Sequence, residues 1–117
     1  MSLHVKEIGA EQFEQEVLAS GSPVVLDFFS TECPPCEALA PKFEAVAEQL
    51  AGRVRFLKIF RQGSRDLALK LGVTGSPTLL FFAGGREVAP RMSGEDIKRS
   101  ALRAAAEAMV EARVEAA

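Results

Sequence analysis

Residues 22–43 read SPVVLDFFSTECPPCEALAPKF, and the meaning of the two cysteines near its centre decides the fold. They are the only cysteines in the chain, and nothing but two prolines separates them. A disulfide that staples a fold gains by closing a long loop, and this one closes almost none. The segment before it, from Ser22, is a continuous apolar run with one acid, as in a strand buried on both faces. The segment after it, Cys36 to Leu50, carries Leu39, Phe43, Val46 and Leu50 at helical spacing, with Pro41 inside and a kink expected there. A helix starting near Pro34 or Pro35 puts Cys33 just ahead of it and Cys36 one turn in, with side chains roughly 5–6 Å apart. Proline is tolerated in a first helical turn, and the residue before a proline avoids helical backbone, so the prolines position Cys33. The helix dipole and free N–H groups favour an anion at Cys33, which makes it the nucleophile, exposed at the helix start. Cys36, inside the helix and less exposed, becomes the resolving thiol. Three other readings compete: a structural disulfide, a pair of inert core thiols, and a zinc site. Zinc needs about four ligands, and beyond the pair there is only His4, so two chains would have to share their cysteines.

Outward from this segment, strand and helix alternate. Val5–Ile8 reads as a short strand, and Glu11–Leu18 as a helix with Phe13, Val17 and Leu18 on one face. Val54–Phe60 is strand-like, Asp66–Leu71 a short helix, and Thr78–Phe82 another strand. AGGRE turns into a last strand, Glu87–Met92. Ser93 with Asp96 resembles a capping box opening a long Ala-rich helix, with Ile97, Ala101, Ala104 and Ala108 along one side. The order βαβαβαββα implies parallel crossovers early and an antiparallel hairpin late, hence an α/β fold with a central mixed sheet flanked by helices. The 117 residues, 48% of them hydrophobic, fit a single domain, with a core over about residues 5–110 and an extended C-terminal helix over about 94–117.

Charge offers no partner. Fourteen basic and 16 acidic residues are scattered to a net −2, with no nucleic-acid footprint and no polybasic membrane patch. The apolar runs are too short to span a bilayer, and MSLHVKEIGAEQF lacks the form of a signal peptide. A cytoplasmic protein is expected, and an exported form whose leader was replaced stays open. Two polar residues stand out in apolar strands. Asp27 shares a strand face with Val25 and Phe29, so its carboxylate is desolvated or paired and its pKa should rise. Lys58 is its natural partner, and an ion pair without a chemical role is the alternative.

VVLDFFSTECPPCEALAPKF, RFLKIF and GVTGSPTLLFFAGGREV together resemble the thioredoxin family, in order and at its spacing, over roughly residues 5–110. Four separated features carry the likeness: the C-x-x-C, the acid six residues before it, the lysine after it, and the Gly-x-Pro-Thr segment. The resemblance implies the thioredoxin fold. It implies that Pro77 is a cis-proline beside the cysteines and that Ser76 and Pro77 present backbone to an extended substrate segment. An ordinary trans-proline at a strand start is the other reading. Gly94 matches a glycine in the third wall of the family's substrate groove, Pro41 matches the helix kink, and Asp27 matches the acid that takes the proton of Cys36. The chain departs from the usual Trp-Cys-Gly-Pro-Cys. Glu32 places a charge beside Cys33, which disfavours its thiolate, and Pro34 removes an N–H that would otherwise solvate the sulfur. Ser76 stands where the family often has an apolar residue.

The resemblance implies a thiol–disulfide oxidoreductase, acting as a monomer and reducing protein disulfides through Cys33 and Cys36, with catalytic support from Asp27 and Lys58. Glu32, Pro34, Ser76, Pro77 and Gly94 would meet the substrate. No bound cofactor or metal is required. Without a Gly-rich dinucleotide fingerprint, electrons come from a separate reductase. The alternatives are an exported or specialised member with one dedicated client, and a redox-responsive module that binds proteins without turnover.

Overall fold

In the computed structural model, which describes residues 3–116, strand β1 (Val5–Ile8) is followed by β2 (Val24–Phe29) and helix α1 (Pro34–Gln49). Then come β3 (Arg55–Phe60), α2 (Arg65–Leu71), β4 (Thr78–Ala83), the two-residue strands β5 (Arg86–Glu87) and β6 (Met92–Ser93), and α3 (Arg99–Ala116). The sheet order is β1-β3-β2-β4-β5, with β6 also paired to β4. β1, β3 and β2 run parallel, while β4 is antiparallel to β2. This is the mixed sheet flanked by helices that the alternation implies.

β2 lies in the middle of the sheet, which explains its nearly unbroken apolar run. Successive side chains of a strand point to opposite faces. Val25 therefore joins Phe56, Leu79 and Phe81 beneath α1 and α3, while Val24, Leu26 and Phe28 join Leu57, Ile59, Leu80 and Phe82 on the other face. That second face is covered by Phe13 and Val17 from the opening turns and by Ala68 from α2. Burying a side chain such as Phe28 or Phe81, both 0% exposed, contributes roughly 2–3 kcal/mol.

Four local expectations change. The opening segment is not one α-helix: a 3-10 turn over Ala10–Gln12 leads into a wide turn over Glu14–Leu18, where Ala19 N donates to Glu14 O at 2.8 Å. The wider spacing still buries Phe13 and Val17. The last strand breaks into β5 and β6, because Pro90 in the gap has no N–H to give the ladder. No capping box forms at Ser93 and Asp96: Asp96 has a left-handed φ of 62°, and α3 starts only at Arg99. Finally, α3 buries Leu102, Ala106 and Met109 rather than Ala101, Ala104 and Ala108, which are exposed. Leucine and methionine remove far more apolar surface from water than alanine does, and they choose the face.

Candidate active site

The loop after β2 delivers Cys33 to the N-terminus of α1. Cys33 is the N-cap of that helix, with extended backbone (φ −129°, ψ 91°), and Pro34 and Pro35 fill the first helical positions. Proline fits there because the first N–H groups of a helix have no intrahelical partner. The Cys36 N–H donates to Cys33 Sγ at 3.2 Å, and Glu37 N donates to Cys33 O at 3.0 Å. The two cysteines are joined as a disulfide, with Cα atoms 5.2 Å apart. The structure is therefore that of the oxidised protein.

The geometry revises two expectations. Cys33 was expected to be exposed and Cys36 covered, yet they are 8% and 9% exposed. What separates them is position: Cys33 stands at the positive end of α1 and receives its N–H, while Cys36 lies within the first turn. The cost of Pro34 is also smaller than its missing N–H suggests. An N-cap side chain accepts from the second or third helical residue, and Pro34 is the first.

Three further segments close around Cys33. Its sulfur lies 3.7 Å from the carbonyl oxygen of Ser76, whose peptide bond to Pro77 is cis. Gly94 N donates to Pro77 O at 3.2 Å, which ties the Gly94 loop to the proline segment. A cavity of about 250 Å³ runs between Pro34, Pro35 and Gly94. Lys42 of α1 donates to Ile97 O at 3.2 Å and holds the same loop from the other side. The structure thus brings Cys33, Pro34, Ser76, Pro77 and Gly94 together around the head of α1, a region with a cavity at Pro34 and Gly94. Glu32 borders it as an exposed residue with a left-handed φ of 51°.

Asp27 sits in β2 beneath α1, 6% exposed, with Oδ1 lacking any hydrogen-bond partner among the described residues. Burial pushes its carboxyl up to about 7, and the positive charge of Lys58 pulls the other way. Lys58 is its register partner on β3, but no ion pair joins them among the described residues. Its Nζ lies instead 5.3 Å from the centre of the Phe29 ring. Asp27 and Lys58 both line a cavity of about 560 Å³ with Pro41, Phe43, Glu44 and His4.

Two residues here were not singled out from the sequence. Ser76 Oγ makes a short hydrogen bond with Ser30 Oγ, and Arg61 Nε donates to Ser76 Oγ at 3.2 Å. Ser30 follows β2 and Arg61 follows β3, at the same ends of two adjacent parallel strands. That location was the available signal, since sites in α/β sheets gather beyond the carboxyl ends of their strands.

The thioredoxin family model matches residues 4–108. A thioredoxin of Peptoclostridium acidaminophilum is 39% identical over 88 residues, covering 75% of this chain and 80% of that one. One from Acetoanaerobium sticklandii is 36% identical over 104 residues, 89% and 94% of the two chains. One from Pseudomonas aeruginosa is 34% identical over 92 residues, 79% and 85%. With the paired cysteines at the head of α1, these likenesses show that the chain belongs to the thioredoxin family and is a thiol–disulfide oxidoreductase.

Proposed function

We propose that the protein reduces disulfides in client proteins, with Cys33 as nucleophile and Cys36 as resolving thiol. The observation that carries this is the cap of α1, where Cys33 Sγ accepts the Cys36 N–H at the positive end of the helix. In the reduced protein the same donor favours the thiolate. Cys33 thiolate attacks one sulfur of the client disulfide, a Cys33–client bond forms, and the client's other sulfur leaves as a thiolate that takes a proton from water. Cys36 then gives its proton to Asp27 and attacks Cys33, releasing the second client sulfur. Two electrons have passed to the client, and the Cys33–Cys36 disulfide remains.

Asp27 suits the proton transfer because its carboxyl, pushed up to about 7, exchanges protons near neutrality. Lys58 keeps that value from rising further. The client segment lies extended along Ser76 and Pro77, between Pro34 and Gly94, with Glu32 at the rim. A separate reductase returns the electrons. On this reading the chain works as a single domain and as a monomer. A cytoplasmic setting suits a reductant, and no described helix is long and apolar enough to cross a membrane.

The test is insulin reduction by dithiothreitol, followed as turbidity. The protein should accelerate it and Cys33→Ser should abolish the acceleration. A parent protein without acceleration would instead mark a module that binds clients and does not turn them over.

A further inference from the structure

Through Ser76, Cys33 is linked to a cation whose role the exchange chemistry does not explain. Arg61 is half-buried, and its Nε is tied to Ser76 Oγ at 3.2 Å, while the carbonyl of Ser76 lies 3.7 Å from Cys33 Sγ. The guanidinium is therefore held within about 10 Å of the reacting sulfur, some three residues of extended chain at roughly 3.3 Å each. Nε is engaged by Ser76, and among the described residues no carboxylate pairs with Arg61. This contrasts with Arg55, Arg91 and Arg103, each of which has a glutamate partner. Beside Arg61 an open cavity of about 480 Å³ continues past Arg65, Asp66 and Leu69, and Leu69 is 81% exposed.

An anchored arginine whose two terminal nitrogens have no hydrogen-bond partner among the described residues is built to receive a carboxylate, since the planar fork matches one in two parallel hydrogen bonds. We infer that Arg61 selects client segments carrying an acidic side chain within about three residues of the attacked cysteine. The inference rests on the reductase reading above and adds a client preference to it. The preference runs against the molecule as a whole, whose net charge of −2 would favour basic clients. A local origin is thereby separable from a global one. Ser76 is part of the device: its hydroxyl fixes the guanidinium, where an apolar side chain would leave it free to swing away.

The test uses two symmetric peptide disulfides identical except for Asp or Lys two residues from the single cysteine. Second-order rate constants for the reduced protein are measured by acid quench and chromatography, and the Asp/Lys rate ratio is compared among variants. Comparing ratios cancels the intrinsic reactivity of each peptide and any general loss in a variant. The ratio for the parent should exceed that for Arg61→Glu by about tenfold, a coupling of roughly 1.4 kcal/mol. Arg61→Lys should lie between them, and the difference should collapse in 1 M salt, where the screening length is about 3 Å. Arg103→Glu, at an exposed position of α3, makes the same change in net charge and should keep the parental ratio. Equal ratios for the parent and Arg61→Glu, or an equal shift in Arg103→Glu, would overturn the inference while leaving the reductase reading intact. Failure of the parent to react with either peptide would overturn both.

Discussion

Replacing Asp27 with Asn should make the oxidised protein more stable above neutral pH, by an amount the structure sets. The Asp27 carboxyl ordinarily titrates near 3.8 and is pushed up to about 7 by burial, with Lys58 opposing. Each unit corresponds to about 1.4 kcal/mol, so keeping this group ionised costs the folded state roughly 4 kcal/mol. Below about pH 3.8 the carboxyl is protonated in both folded and unfolded chains, and no cost appears. As pH rises from 3.8 to about 7 the unfolded chain loses its proton first, so the parent grows less stable across that window, and above 7 the full cost persists. Asn never ionises, so the gap between variant and parent opens over the same interval and then stays level. The buried amide must find partners where Oδ1 has none, which takes back about 1–3 kcal/mol and leaves a net gain of roughly 1–3 kcal/mol at pH 8. Urea titrations at half-unit pH steps from 4 to 9 measure this. They should be followed by far-ultraviolet circular dichroism, because the chain has no Trp or Tyr to report by fluorescence. A stability gap that does not change between pH 4 and 8, or a variant less stable than the parent at pH 8, would refute the reasoning.

Asp27→Asn should also slow turnover near neutrality, and unchanged exchange rates from pH 6 to 9 would remove Asp27 from the proton transfer. Lys58→Met deletes the charge that opposes burial, so the pH–rate inflection assigned to Asp27 should move upward; an unmoved inflection would show that Lys58 does not tune it. Glu32→Trp removes a carboxylate beside Cys33 and should lower the midpoint of the thiolate absorbance titration, whereas Pro34→Gly should shift it little because the first helical N–H does not serve the cap. Cys36→Ser should accumulate mixed disulfides with clients on non-reducing gels and Cys33→Ser should not, and equal trapping would dissolve the division of labour. Gly72 closes α2 with a φ of 72°, so Gly72→Ala should cost about 1 kcal/mol in urea unfolding despite the room around it.

What the sequence made legible was local and strongly patterned. The run Val24–Phe29 could hardly be anything but a central strand, and the turn holding Cys33 and Cys36 announced a helix start through its prolines. Where signals were weaker, competing forces decided. Alanines suggested one face of α3, but Leu102 and Met109 bury more surface and chose another. Pro90 breaks the strand that the AGGRE turn predicts over Glu87–Met92. The cover over Cys33 includes Ser76, more than forty residues away, whose carbonyl lies 3.7 Å from the sulfur. Arg61 was illegible for the same reason: one charged residue among many until the fold sets it against Ser76.

The cavity beneath Asp27 has a kinetic consequence. It is lined by Asp27, Lys58, Pro41 and Glu44, while the walls around Cys33 are Pro34, Ser76, Pro77 and Gly94. On the proposed mechanism, a proton leaving Asp27 would pass through this cavity, which is lined apart from the surface proposed for the client. On that reading, a client seated over Cys33 would leave the cavity beside Asp27 uncovered. Resolution of the mixed disulfide should therefore respond to buffer and pH in the same way for a short peptide as for a large folded client.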